Sequence, residues 1–342
     1  VRRLSQKFRV ALIGTGAIAH KHAQAYQSIG YPVTVCYNKT REKGEAFAQQ
    51  YGARYVDTME AACTASDVDF IDLCTFPDVR LEPLKLAAGA GKHIQVQKPI
   101  ATNLETAQAM IDYAKQKNVR FAVVSQHRFD DSVIFLKKAI ADGRLGKLLQ
   151  ADAYVKWWRS DEYYSRPIKG SWAVEGGGAM INQAIHQVDI LLHLIGPVDT
   201  LFGMWQLGAR HKIESEDVIT SMLRYKNGAQ GVIQASTAIW PGYSERVEIH
   251  GTKGTAVITG DKLTTLGVAL FSYQQYPKAV DSFKRALAKG GLRNEGEVRL
   301  MLGISQLMAN DKEGAVQSFK QVKGDPKLMR IANLWSLHAR QS

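Results

Sequence analysis

The chain has 342 residues, enough for two or three domains with cores of their own, and 45% apolar with 22% charged residues is ordinary globular composition. No apolar run approaches the roughly 18 residues of a membrane span, and the short apolar stretch from Phe8 to Ile13 runs straight into glycines rather than a signal-peptide pattern. The net charge of +12 is scattered at helix-surface spacing, with basic residues exceeding acidic ones by about six from Gly260 onward. No basic block interleaves with aromatics, which argues against a nucleic-acid partner. Cys36, Cys63 and Cys74 have no C-x-x-C spacing; buried thiols in a reducing, cytoplasmic compartment are the expectation.

Phe8 to Ile13 reads as a short buried strand, followed at once by Gly14-Thr15-Gly16-Ala17-Ile18-Ala19 and a helix to about Ile29. This is the G-x-G-x-x-G/A dinucleotide fingerprint in its proper setting. Gly14 permits the tight turn, and Gly16 lets the backbone approach a pyrophosphate. Ala17 and Ile18 open the helix whose N-terminus faces the phosphates, and Ala19 packs helix on strand. A second strand, Val33 to Cys36, leads into Tyr37-Asn38-Lys39-Thr40-Arg41. An acidic residue here would hold a ribose 2′-hydroxyl. Instead Asn38 with the cations Lys39 and Arg41 suits a 2′-phosphate, so the cofactor is read as NADP or NAD, NADP favoured.

Strands then alternate with helices to Val124: Arg54 to Val56, Asp69 to Thr75, His93 to Val96 and Arg120 to Val124. That pattern means a doubly wound parallel (Rossmann) sheet, with ligands outside the carboxyl ends of the strands. Gly14, Asn38, Thr75, Lys98 and Gln126 all fall there. Farther on, Gly176-Gly177-Gly178 gives a sharply turning backbone before a periodic helix. Asn182, His186, Asp189 and His193 share one face of it, and Ile181, Ile185, Val188, Leu192 and Ile195 an apolar one.

With the fingerprint come Thr75-Phe76-Pro77, the run Ala90-Gly91-Lys92-His93-Ile94-Gln95-Val96-Gln97-Lys98-Pro99-Ile100-Ala101, Ser125 to Phe129, Gly176 to Asp189, Glu214 to Asp217 and His250 to Gly254. On these motifs residues 7–259 resemble the glucose–fructose oxidoreductase / inositol dehydrogenase / MocA family. The resemblance implies an NAD(P)-dependent oxidoreductase acting on a sugar, cyclitol or nucleotide-sugar hydroxyl. It also implies a second, α+β domain with an open, mainly antiparallel sheet that often serves as an oligomer interface. The family's lysine falls on Lys98 and its helix histidine on His186; its aspartate falls on Asn182. Its glutamate before the lysine is Gln97 here, which removes a negative charge beside Lys98, and a histidine is replaced by Arg80.

Oxidising an alcohol needs a group that takes the hydroxyl proton as hydride leaves. His186 is the best base by residue type, and Lys98 can hydrogen-bond the hydroxyl oxygen and stabilise a developing alkoxide; either one fits the base. Asn182, one turn before His186, can orient a neighbouring sugar hydroxyl. The catalytic candidates are therefore Lys98, His186 and Asn182. The cofactor candidates are Gly14, Gly16, Ala17, Ile18, Asn38, Lys39, Arg41, Thr75, Gln97, Lys98 and Gln126. Trp157, Trp158, Tyr163, Tyr164 and Trp172, with Arg159 and Arg166, offer a wall for a sugar-like substrate, though packing is the commoner use of such aromatics. His211 with Glu214, Glu216 and Asp217 matches no metal-ligand spacing, and no metal is expected.

From Gly260 the pattern changes. Leu266-Gly267, Ala279, Phe283 and Ala286 recur as Leu302-Gly303, Ala315, Phe319 and Val322, a constant offset of 36. This reads as an all-α, tetratricopeptide-like helical-repeat tail, stretched at Gly290-Gly291 and closed by a last helix from about Pro326 to Arg340. Two repeats and a helix are few to stand alone, so the tail is expected to dock on the preceding sheet, to pair with another chain or to bind a peptide or protein partner in its groove. The expected domains are residues 1–126, 127–259 and 260–342. The alternative to an enzyme is a catalytically impaired scaffold that works through the tail, favoured by Gln97, Asn182 and the change of pattern at Gly260.

Overall fold

The structure, a computed structural model, describes residues 8–166, 168–259, 274–290, 292 and 294–341. Its chain divides into two compact units. One joins Val1–Ser125, Ser160–Asn182 and Arg210–Glu216; the other joins Gln126–Arg159, Gln183–Ala209 and Asp217–Ser342.

In the first unit, β1 (Val10–Ile13), β2 (Val33–Tyr37), β3 (Arg54–Tyr55), β4 (Phe70–Leu73), β5 (His93–Val96) and β6 (Phe121–Val123) form a parallel sheet of order β3-β2-β1-β4-β5-β6. Helices α1 (Ala17–Ser28), α2 (Arg41–Tyr51), α3 (Met59–Thr64), α4 (Leu81–Gly89) and α5 (Leu104–Gln116) connect them. The continuous apolar run of β1 is explained by burial on both faces. Val10 and Leu12 pack with Ala19, Ala23 and Phe47 of α1 and α2; Ala11 and Ile13 pack with Leu84, Ala87 and Met110 of α4 and α5. Strand order reverses between β1 and β4, the topological switch point where such sheets take ligands.

The second unit holds α6 (Asp131–Ala141) and the strands β7 (Leu148–Lys156), β8 (Val198–Leu207), β9 (Glu216–Tyr225), β10 (Gln230–Ser236), β11 (Arg246–Gly251) and β12 (Gly254–Thr259), in order β12-β11-β7-β10-β9-β8. β7 and β10 run parallel, and the β9–β10, β7–β11 and β11–β12 pairs are antiparallel, a mixed and mainly antiparallel sheet as expected. Alternation sets its faces. Ala151, Ala153, Val155, Val247 and Ile249 are buried on one side, whereas Tyr154, Lys156, Glu248 and His250 lie only partly covered on the other.

The segment from Ser160 to Asn182 contributes α7 (Asp161–Tyr164) and α8 (Trp172–Glu175) to the first unit. The glycine-led helix departs from the expected single α-helix. Ala179–Ala184 is a π-turn, and the α-helix proper, α9, is Ile185–Ile195. A π-turn widens the helix by one residue, so a face counted across it falls out of register. Within α9 itself the buried face is Gln187, Ile190, Leu191, Leu194 and Ile195, while Leu192, expected inside, is 42% exposed.

Among the described residues that follow are the helices α10 (Tyr276–Lys289), α11 (Glu295–Met308), α12 (Lys312–Lys320) and α13 (Pro326–Gln341). Each packs on the next. Ala279, Phe283 and Ala286 meet Val298 and Leu302; Ala315, Phe319 and Val322 meet Leu300, Leu307, Ala332 and Ala339. A Cβ on Gly303 would lie 2.5 Å from the Phe319 ring, so glycine is what lets α11 and α12 approach. Leu266, Gly267, Gly260 and Gly291 of the expected repeat lie outside the described residues. Among the described residues no helix is long and apolar enough to cross a membrane.

Candidate functional site

The first unit presents the dinucleotide cradle at the carboxyl ends of β1, β2 and β4. Gly14 has φ +87°, and a Cβ there would press at 3.1 Å on the Cys74 carbonyl carbon and on Thr75; only glycine makes this turn without strain. Beside Gly16 the space a Cβ would take is open. α1 then begins at Ala17 and Ile18 with no side-chain cap and no acidic residue in its first turn, leaving amide donors for an anion. The hydroxyl of Thr75, two residues past β4, is buried and has no hydrogen-bond partner among the described residues, an orphaned polar atom that a ligand would satisfy. These features fit a bound dinucleotide.

At the end of β2, Asn38 Nδ2 donates to the Thr40 carbonyl at 3.1 Å. The Arg41 guanidinium forms exposed ion pairs with Glu45 at 3.0 Å and with Asp57. Asp57 lies 16 positions on and was invisible to local spacing. Lys39 is exposed and forms no ion pair among the described residues.

Lys98 follows β5. Its ammonium donates to the main-chain carbonyl of Asn182 at 2.9 Å. Burial foremost, then the charge of Lys169, pushes its pKa down to about 8; Glu175 opposes and Arg80 adds to the fall. Lys169 is itself paired with the buried Glu175, whose other oxygen accepts from the Gly170 amide at 2.8 Å. Sequence reasoning missed this pair, having read no contact for either residue. The Asn182 side chain donates to the Gly177 carbonyl at 3.0 Å, and its backbone oxygen meets the lysine. The turn carrying it is set by Glu216, which accepts the amides of Gly178 and Met180 at 2.9 Å each.

Gln97 is a structural amide. Its Oε1 accepts the Lys98 amide at 3.1 Å, and its Nε2 lies 2.7 Å from His22 Nε2. His22 in turn bonds Asp72 at 2.7 Å, which receives the Tyr26 hydroxyl at 2.6 Å. Arg80, 2% exposed, donates to the carbonyls of Thr75, Gln97 and Pro99.

His186 belongs to the second unit, with its ring edge-on to His127 at 4.9 Å; His127 is held by Asp130 at 2.7 Å. Asp189, on the expected polar stripe, is clamped by Arg128 at 2.8 Å. His193 has its pKa lowered, by burial first and then by Lys137 and Arg128. Gln126 is exposed at the start of a short 3₁₀ turn, Gln126–Phe129. Thus Lys98 and Asn182 meet within one unit, whereas His186 and Gln126 are part of the other.

The aromatics divide similarly. Trp157 donates to Glu245 at 3.1 Å, and Trp158 packs edge-on to Trp240 at 4.7 Å. In the first unit, Tyr163 lies under Arg166 and Lys169, and Trp172, 47% exposed, donates to the Glu214 carbonyl at 3.1 Å. His211 stacks on Tyr164, Glu216 caps the π-turn and Asp217 accepts the Ala209 amide, so the acidic run after His211 is dispersed over separate tasks. Two other groups could gather around an ion by distance, His22–Asp72–Cys74 and Asp152–Glu248–His250, but each is hydrogen-bonded to its protein neighbours.

Comparison with known proteins bears on the whole of this site. Residues 8–125 match the model of the "Oxidoreductase family, NAD-binding Rossmann fold", and residues 133–257 match the "GFO/IDH/MocA C-terminal domain". The chain is 27% identical to levoglucosan dehydrogenase of Pseudarthrobacter phenanthrenivorans, over 79% of this chain and 78% of that one. It is 27% identical to inositol 2-dehydrogenase of Rhizobium meliloti, over 82% and 89%. The crystal structure of the WlbA dehydrogenase from Bordetella pertussis, in complex with NADH and UDP-GlcNAcA, is 30% identical and aligns with a TM-score of 0.71 over 75% of this chain and 79% of that chain. A WlbA dehydrogenase structure from Chromobacterium violaceum, 24% identical, shares the fold over 99% of this chain and 95% of its own, with a TM-score of 0.74. These relatives are dehydrogenases and give no support to a non-catalytic scaffold.

Proposed function

Because the chain belongs to the GFO/IDH/MocA oxidoreductase family, we propose that it moves a hydride between a nicotinamide cofactor and a carbinol carbon of a sugar, cyclitol or nucleotide sugar. The observation that carries this reading is Lys98: a half-buried amine with a pKa near 8, fixed on the Asn182 carbonyl in the same unit as the glycine cradle. The dinucleotide, when bound, supplies the hydride acceptor or donor. The amides of Gly16, Ala17 and Ile18, in the turn that Gly14 opens, would hold its pyrophosphate; Thr75, Gln97, Lys98 and Gln126 are assigned to its nicotinamide half.

Lys98 hydrogen-bonds the substrate hydroxyl and exchanges its proton near neutrality, where both of its forms are populated. His186 is the second proton carrier, suited by residue type. Asn182 acts through its carbonyl, which fixes the rotamer of Lys98. NADP is favoured over NAD on Asn38, Lys39 and Arg41, the last of these in exposed ion pairs with Glu45 and Asp57. The free thiols, buried at Cys36 and Cys63 and partly covered at Cys74, fit a cytoplasmic setting.

The second-domain sheet is the proposed oligomer interface. Edge strand β8 leaves Leu201, Phe202, Met204, Trp205 and Leu207 each more than half exposed, an arrangement that calls for a covering partner. The tail is proposed as a tetratricopeptide-like docking module, because the positions that recur at offset 36, from Ala279 to Ala286 and from Leu302 to Val322, are the buried ones. A cofactor-reduction screen of sugars, cyclitols and nucleotide sugars with both dinucleotides tests the catalytic reading; inability of the folded chain to bind either dinucleotide would end it.

A further inference from the structure

Arg80 is a buried guanidinium with no carboxylate in contact among the described residues. Nε donates to the Thr75 carbonyl at 3.1 Å, as does Nη2, and Nη1 donates to the carbonyls of Gln97 and Pro99. Burial lowers its pKa to about 10, with Cys74, Asp78 and Asp72 acting against the fall. Sequestering a cation on carbonyl dipoles alone is costly, so the position calls for a reason. Two are visible. First, Gln97 and Pro99 flank Lys98, and Thr75 lies two residues past the end of β4; one side chain ties the turn bearing the lysine, on both its sides, to the segment leaving the neighbouring strand. Second, the charges acting on Lys98 are the cations Lys169 and Arg80 and one anion, Glu175, already bound by Lys169 and the Gly170 amide. The residue before Lys98 is the neutral Gln97. Against the pattern noted in the sequence, a glutamate at 97 and a histidine at 80, both departures shift the local charge the same way, toward positive.

We propose that Arg80 is a positioning residue for Lys98: it fixes the main chain on either side of the lysine and, as a permanent cation, favours the neutral amine that accepts a proton from the substrate hydroxyl. This rests on Lys98 as a proton-transfer group, but its electrostatic part is measurable without turnover.

The experiment is the pH dependence of Lys98 acetylation by trace acetic anhydride in the full-length folded protein, followed by mass spectrometry, for wild type, Arg80→Gln, Arg80→Lys and Gln97→Glu. The expected labelling midpoint in wild type is near 8. Gln97→Glu raises it by about one pH unit, a tenfold change in the amine/ammonium ratio, and Arg80→Gln raises it by a smaller amount, since Arg80 is the weakest of the charges acting on Lys98. Arg80→Lys, which keeps the charge but not the fork of donors, leaves the midpoint low and instead slows kcat. If Arg80→Gln does not fold, Arg80→His at a pH where imidazole is neutral is read in its place. A midpoint unmoved by both Gln97→Glu and loss of the cation at position 80, or equal shifts in Arg80→Gln and Arg80→Lys, overturns the proposal. A shifted midpoint in a protein without dehydrogenase activity would retain it and remove only the reading of Lys98 as proton carrier.

Discussion

Lys98 and Asn182, 84 positions apart, meet through a hydrogen bond of 2.9 Å from the lysine ammonium to the asparagine backbone oxygen. The bond joins the turn after β5 to the π-turn that starts the glycine-led helix. A carbonyl accepts equally from any orientation of the ammonium that keeps one N–H on it, so Lys98 retains two donors, or a lone pair when neutral, for a substrate.

From the Lys98 pKa near 8, the rate of alcohol oxidation should rise with pH through about 8 as the amine becomes neutral, and carbonyl reduction should fall over the same range. Lys98→Ala should lower kcat by roughly 10²–10⁴-fold, with dinucleotide affinity kept within a few-fold. Stability moves in the same direction with pH as alcohol oxidation. The folded lysine titrates near 8 and the unfolded one near 10.5, so between these values the unfolded chain holds the extra proton and stability rises with pH. Below 8 the buried charge is a net cost, and Lys98→Met should stabilise the protein at neutral pH by up to about 3 kcal/mol in urea unfolding.

Cofactor choice should follow Lys39. Lys39→Ala is expected to weaken NADP binding by about tenfold and leave NAD unchanged, as one lost charge-assisted contact predicts. Arg41→Ala should have the smaller effect, because its guanidinium is shared by Glu45 and Asp57. Fluorescence titration with both reduced dinucleotides measures this.

Much of this was legible in the sequence, and the misses have a common physical origin. β1, the Gly14–Gly16 turn and α1 are visible because local sterics and an apolar run decide them. The π-turn at Ala179–Ala184 is not, because a distant backbone decides it: a Cβ on Gly178 would lie 1.8 Å from the Glu216 carbonyl oxygen. The same holds for Arg41, whose partner Asp57 lies on another loop, and for Lys98, which meets a backbone atom rather than the side chain that residue types suggest. Arg80 was noticed as a substitution, but three carbonyl contacts have no signature in spacing.

Glu216 offers a test of that distant support. It is 5% exposed and satisfies two amides of the π-turn. Glu216→Ala should cost about 1–3 kcal/mol in urea unfolding and depress kcat more than it changes KM, since the turn presents the Asn182 carbonyl.

On β8, Trp205→Lys places a charge on an edge strand at a residue 61% exposed in the isolated chain. Sedimentation velocity should show the oligomer shifted to monomer, with the far-ultraviolet circular dichroism of the folded chain retained.

In the tail, Gly303→Ala forces a methyl against the Phe319 ring and should cost about 1–3 kcal/mol by overpacking. Hydrogen exchange should quicken across α11 and α12 and remain unchanged in β1, β4 and β5.

The most direct measurement is reduction of NADP and NAD, followed by near-ultraviolet absorbance, with a panel of sugars, sugar acids, cyclitols and nucleotide sugars. Reduction with at least one member, lost in Lys98→Ala while dinucleotide binding persists, is the predicted result. A folded protein that binds neither dinucleotide, or whose turnover is indifferent to Lys98, would contradict it.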